Sequence, residues 1–204
     1  MNIKQDLMKD KKWIKLLLKI KKMIKLHLGC GKRDFGPEWI SIDGGDYPHL
    51  KYHDITSLPF EDNSVDIIYA SHVLEYFDRE EVVLILKEWR RVLKPDGNLR
   101  IAVPDFKSIC ELYLHKNTPI EKFLGPIYGK MKMLNNTIYH KTIYDFNSLK
   151  NLLTICGFYG IIEYDWRNTE HSNFDDHSQA YIPHMDKTNG VLISLNVVSK
   201  KNKL

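Results

Sequence analysis

The stretch IKLHLGCGKRDFGPEWISIDGG, residues 24–45, decides how this chain is read. An apolar run, Met23–Leu28, enters Gly29-Cys30-Gly31, and a second run, Trp39–Ile42, ends on the acid Asp43. Strand, glycine turn, strand and carboxylate are the opening of a nucleotide-binding unit. Yet only twelve positions separate Gly31 from Asp43, too few for the helix that ordinarily lies between such strands. The third glycine of the dinucleotide signature is also missing, because Arg33-Asp34-Phe35 stands in its place.

Downstream, the alternation of strands and helices continues. Lys51–His53 reads as a brief third strand, and Val65–Ala70 as a fourth, apolar enough for burial in a parallel sheet. Residues 78–93 read as a helix with Asp78 as N-cap and Arg90 and Arg91 in its last turn. Its Val82, Ile85, Leu86, Trp89 and Leu93 recur at helical spacing, which assigns Trp89 to the core. The turn residues of KPDG (94–97) precede a fifth strand at Asn98–Val103. A helix over Asp145–Cys156 closes at Gly157, a strand follows at Phe158–Tyr164, and a last strand spans Val191–Ser199. This order implies an α/β sheet with helical crossovers.

Residues 1–22 stand apart from that order. Leu7, Ile14, Leu17 and Leu18 share one side of a basic amphipathic helix, expected to pack on the domain edge or to touch a membrane surface. Residues 23–204 are expected to form a single domain, with lid-like insertions at 105–137 and 166–190.

Charge follows the same division. Residues 1–25 hold nine lysines against Asp6 and Asp10, a net +7, whereas the rest holds 21 Lys and Arg against 24 Asp and Glu, a net −3. A mildly acidic domain lacks the basic face that nucleic acid requires, so no nucleic-acid partner is expected. The 204 residues contain no run of eighteen apolar positions to span a membrane. Cys30, Cys110 and Cys156 form no CxxC pair, so neither a disulfide framework nor a zinc site is suggested, and a cytoplasmic setting is expected. His171, His177 and His184 with Asp175 and Asp176 match no familiar metal spacing; no metal is expected.

In open parallel sheets, ligands sit beyond the carboxyl ends of the strands. That rule selects Gly29–Gly31, Asp43, Asp54 and Ser71–Tyr76. Glycine permits close backbone approach, and a strand-end carboxylate can accept both ribose hydroxyls. With the first helix cut away, a phosphate-bearing cofactor would lose its anion site. S-adenosylmethionine carries no phosphate and would lose much less.

LHLGCGKR, ISID, YHDITSLPFEDNSVDIIYASHVLEYF, LKEWRRVLKPDGNLRIAVPD and LLTICGFYGI resemble, in that order, the class I S-adenosylmethionine-dependent methyltransferases, in a short form without the first crossover helix. The resemblance spans roughly residues 23–165. It implies a Rossmann-like, doubly wound, mostly parallel seven-stranded sheet whose last strand is antiparallel. It implies that Gly29, Cys30 and Gly31 hold the methionine part of the cofactor and that Asp43 holds the ribose. Asp54 and Ile55 would flank adenine, and Ser71 and His72 would line the floor. The methionine carboxylate would fall to Lys32, Arg33 or the N-terminal arm.

Methyl transfer from a sulfonium needs alignment at about 3–3.5 Å and exclusion of water more than it needs an enzyme nucleophile. A hydroxyl acceptor would add a general base, and His72 and His140 are the candidates, with Glu75 one turn after His72. The expected acceptor is a small molecule, with a sugar or glycan intermediate of the cell envelope as the first candidate. Two readings compete: a non-catalytic S-adenosylmethionine-binding scaffold, and a membrane or nucleic-acid adaptor working through the lysine-rich arm.

Overall fold

Side-chain alternation along the strands builds a sheet with two different faces. The computed structural model describes residues 23–202, so the basic helix expected within residues 1–22 lies outside the described residues. The main sheet holds β1 (Lys25–Leu28), β2 (Trp39–Ile42), β3 (Val65–Ser71), β4 (Leu93–Pro104), β7 (Phe158–Glu163) and β10 (Ser194–Lys201). Their spatial order is β2-β1-β3-β4-β10-β7. β10 runs antiparallel to both β4 and β7, while β2, β1, β3 and β4 pair parallel.

The main sheet holds six strands among the described residues, where seven were expected. Residues 51–53 reach the sheet edge, but only Tyr52 bridges to Ile42. Asp54 then turns the chain away by accepting from the backbone amide and hydroxyl of Thr56, so no ladder extends. The KPDG turn also differs from the expected separator. It is looped out within β4, with Leu93 opposite Val65, Asn98 opposite Ile67, and Asp96 at φ +61°.

On one face, Leu26, Leu28, Ile68 and Ala70 meet the apolar stripes of α1 (Glu81–Val92) and α4 (Phe146–Ile155), including Trp89, Leu149 and Leu153. Asp78 organises the start of α1 by accepting from the amides of Glu80 and Glu81, and Glu81 reaches back to the Asp78 amide. Asp145 and Ser148 form the equivalent capping box on α4. α2 (Phe106–Lys116), α3 (Leu124–Tyr128) and the hairpin of β5 (Met131–Met133) and β6 (Asn136–Ile138) occupy the first of the two expected insertions.

The other face, bared by the missing crossover, is covered by aromatic rings. Phe35, Trp39, Ile67 and Tyr69 form its cluster. Phe35 stacks on His27 at 4.0 Å and on His171 at 5.0 Å between ring centroids. The segment 165–180 closes over this layer: the Tyr69 hydroxyl donates to the Asp176 carboxylate, and Trp166, His171 and Asp176 are buried. The second insertion therefore divides into a packed strap and a hairpin of β8 (Tyr181–Ile182) and β9 (Val191–Leu192).

Replacing Phe35 with Ala removes the ring shared by both stacks. The substitution is expected to cost about 3–5 kcal/mol in urea unfolding, as for other buried Phe truncations. A loss below about 1 kcal/mol would show that the strap does not depend on this layer.

Candidate functional site

A cavity of about 1410 Å³ opens beyond the carboxyl ends of β1, β2 and β3. That exceeds the roughly 300–1,000 Å³ of a single small-molecule site, and so has room for two ligands side by side.

The glycine turn forms one wall. Gly29 and Gly31 adopt φ of +64° and +55°, a region other L-residues enter only at a cost. A Cβ at Gly29 would lie 2.3 Å from Val73 Cγ2, whereas one at Gly31 would meet nothing within 4 Å. Gly29 thus serves packing, and Gly31 presents bare backbone to the cavity. The Cys30 side chain turns inward beside His49 Nε2 at 3.6 Å, and only the flanking glycines line the cavity. Burial, followed by the nearby Asp43 charge, pushes the Cys30 thiol up to about 12, which leaves it unreactive.

Asp43 is buried at the end of β2 and accepts from the Gly31 amide at 2.8 Å and the Gly45 amide at 2.7 Å. Each carboxylate oxygen keeps a further lone pair for a ligand hydroxyl. The same carboxylate therefore fixes the turn and lines the cavity. Ser71 and His72 line the floor at the end of β3.

Asp54 and Ile55 are not among the cavity residues. Asp54 spends its carboxylate on Thr56, and Ile55 packs on the core while its carbonyl accepts from Trp89 Nε1 at 2.8 Å. Gly45, Asp46 and Tyr47 line that end instead. The Tyr47 ring lies against Gly45, where a Cβ would come within 2.5 Å of its Cε2. The GGDY sequence after β2 was the available signal for this aromatic wall. Arg33 also lines the cavity and donates from Nε to the Asp175 carbonyl at 2.8 Å, tying the glycine loop to the strap. Lys32 is exposed and outside the lining.

His72 and His140, 68 positions apart, meet at one carboxyl group. Glu75 is fully buried, with Oε1 3.3 Å from His72 Nδ1 and 3.8 Å from His140 Nε2. Both histidines line the cavity, and Glu75 sits behind them. Burial raises the Glu75 carboxyl to about 8. Burial also holds His72 well below its ordinary 6.5, with His177, His140 and Arg33 adding to the effect. His140 is lowered mainly by burial as well. His72 itself sits at φ +55°, an uncommon conformation imposed by the bend after β3.

His171, at the back of the aromatic layer, is lowered to about 4 by burial. Among the described residues, no three His, Cys, Asp or Glu side chains form a group that could hold a metal ion.

The family described as Methyltransferase domain matches residues 26–101. A demethylmenaquinone methyltransferase of Staphylococcus haemolyticus is 32% identical over 122 residues, covering 54% of this chain and 47% of its own length. The chain thus spans about half the length of the curated relatives it matches. Among solved structures, an S-adenosylmethionine-dependent methyltransferase from Archaeoglobus fulgidus superposes with a TM-score of 0.55 at 16% identity, over 96% of this chain and 94% of that one. The 1,6-didemethyltoxoflavin-N1-methyltransferase of Burkholderia thailandensis, with bound 1,6-didemethyltoxoflavin and S-adenosylhomocysteine, gives 0.51 at 13% identity, over 88% and 71%.

The raised Glu75 carboxyl carries a stability signature. Between its ordinary 4.5 and about 8, the folded state holds a proton that the unfolded state has released, so stability falls as pH rises through that window. His72 and His140, lowered from 6.5, oppose this only at lower pH, since above 6.5 they are neutral in both states. Stability is therefore expected to fall by up to about 1.4 kcal/mol per pH unit from 6.5 to 8. Glu75→Gln is expected to flatten that slope in urea titrations at several pH values, and an unchanged slope would contradict the assignment.

Proposed function

We propose that the chain transfers a methyl group from S-adenosylmethionine to a small-molecule acceptor, a reading supported by the match of residues 26–101 to the Methyltransferase domain family and by the fold shared with an S-adenosylmethionine-dependent methyltransferase. The observation that carries the reading is the two-ligand cavity at the β1–β2–β3 ends, with bare backbone at Gly31 and a strand-end carboxylate at Asp43. The donor set fits the cofactor: Asp43 suits the ribose hydroxyls, Tyr47 an adenine face, and Arg33 the methionine carboxylate. Ser71 and His72 complete the floor, and the Gly29–Gly31 backbone is the close wall.

When bound, this cofactor supplies an electrophilic methyl group on sulfur. The work left to the chain is to exclude water, hold the acceptor in line and take its proton. His72 and His140 face the acceptor half and are kept uncharged by burial, as a base must be. That half is lined by residues 112–140 and 175–193, which lie beyond the matched domain. It combines Met131, Met133, Leu134 and Ile193 with Lys116, Lys122, Lys130 and Lys132. This mixture suits an acceptor with an apolar body and an anionic group. A phosphate-linked sugar or glycan intermediate is the first class to test. A demethylated quinone is the second, because the curated relative is named for one.

Calorimetry with S-adenosylmethionine tests the premise, and transfer of labelled methyl to the two acceptor classes tests the reaction. Asp43→Ala and Arg33→Ala are each expected to weaken cofactor binding about tenfold or more, the effect of losing a charge-assisted contact of about 1.5–3 kcal/mol. Absence of cofactor binding by the native chain would overturn the reading. Binding without transfer to any acceptor would support the non-catalytic scaffold.

A further inference from the structure

Glu75 is left unused by the account above, although it is fully buried and both of its oxygens lack a hydrogen-bond partner. Its surroundings determine where protons can be. The Asn196 amide donates to the Ser178 carbonyl at 2.9 Å, which leaves Asn196 Oδ1 as an acceptor. The Ser194 hydroxyl gives its one proton to that oxygen at 3.1 Å. Ser194 Oγ can then only accept from His72 Nε2, 3.3 Å away, so the proton of neutral His72 is on Nε2 and Nδ1 is a lone pair. On the other side, His140 Nδ1 lies 3.1 Å from the Pro126 carbonyl, which can only accept. The proton of neutral His140 is therefore on Nδ1, and its Nε2 is also a lone pair.

Two imidazole nitrogens that carry no proton thus lie near one carboxyl oxygen, at 3.3 Å and 3.8 Å, where an ionised carboxylate would face only acceptors. Only a protonated carboxyl satisfies this arrangement. We propose that Glu75 is a positioning residue whose buried proton sets the tautomer of His72 and thereby decides whether His72 can act as a base. This rests on the methyltransferase reading above. With the carboxyl protonated, His72 is locked as the Nε2–H form and has no lone pair for an acceptor's proton. On ionisation, the carboxylate takes a hydrogen bond from His72 Nδ1–H. The Nε2 lone pair is then bare, and, turned from Ser194 toward the cavity that His72 lines, it would take the acceptor's hydroxyl proton as the oxygen bonds the methyl carbon and the donor's carbon–sulfur bond breaks, its electron pair leaving on the neutral thioether.

The groups facing this cluster are Tyr76 from the turn that holds Glu75, Tyr144 from the lead into α4, and His177 from the strap against His72. Arg33 acts on His72 from the glycine loop. Tyr76 and Tyr144 are themselves raised, by burial first and the Glu75 carboxyl second, so neither is an anion near neutrality. The raised Glu75 carboxyl agrees with the hydrogen-bond count.

Carbon-13 NMR of the full chain labelled at Glu carboxyls reads the first half of the proposal without turnover. One carboxyl signal, absent in Glu75→Gln, is expected to titrate near pH 8, and ordinary titration of every Glu near about 4.3 would overturn the proposal. Kinetics read the second half. Native kcat is expected to rise with pH along that same titration. Glu75→Gln, which can still donate to His72 but cannot ionise, is expected to lose about 10²-fold in kcat with KM and cofactor affinity unchanged, and to lose the rise. A Glu75→Gln enzyme with native kcat and pH profile would overturn it. If the native chain instead binds no cofactor, the methyltransferase reading fails, while the carboxyl titration still reports on Glu75.

Discussion

The constraint on which the rest of the structure depends is an uncovered sheet face. A central parallel sheet must bury both faces, and crossover helices ordinarily do this. The eleven residues between Gly31 and Asp43 cannot supply a helix, so this chain covers the face with rings. Phe35 and Trp39 come from the shortened connection and β2, His27 and Tyr69 from the strands themselves, and His171 from the strap that closes over them. An apolar layer one ring thick replaces the helix. At its edge the buried Asp176 accepts from the Tyr69 hydroxyl and from the Ser178 amide and hydroxyl.

That substitution also shapes the site. The strap lies against both the glycine turn and the acceptor region: Arg33 bonds the Asp175 carbonyl, Asp43 pins the Gly31 amide, and His177 faces His72. Cofactor wall, strap and proton-bearing cluster share one short set of contacts. Glu75 adds a further tie, since its own carbonyl accepts from the amides of Lys141 and Thr142 and holds His140 close.

Much of the fold was legible because it is written locally. The apolar runs of β1 and β3, the Asp78 and Asp145 side chains that accept from the first amides of α1 and α4, and Gly157 after α4 are each decided by a few neighbouring residues. The glycine turn and Asp43 were legible for the same reason. Asp54 and Ile55, which the resemblance set beside adenine, lie outside the cavity lining, past the point where a strand was expected at 51–53. The chain makes one bridge at Tyr52 and turns, which carries Tyr47 to the cavity in their place. The Glu75 cluster was legible only in part. His72 and Glu75 are three apart on one turn, but nothing local announces that His140 returns to the same carboxyl, or that Ser194 and Asn196 fix its proton.

The strand order also has a consequence for how the molecule is born. Among the described residues β10 follows every other strand in the chain, yet it lies between β4 and β7, and β7 has no other partner in the sheet. The strap that covers the aromatic layer is nearly as late in the described chain. During synthesis, the amino-terminal half therefore emerges with its ring-covered face wet and one sheet edge unpaired, the condition under which nascent chains associate wrongly. Completion of both the sheet and the pocket therefore waits on the emergence of residues 165–201.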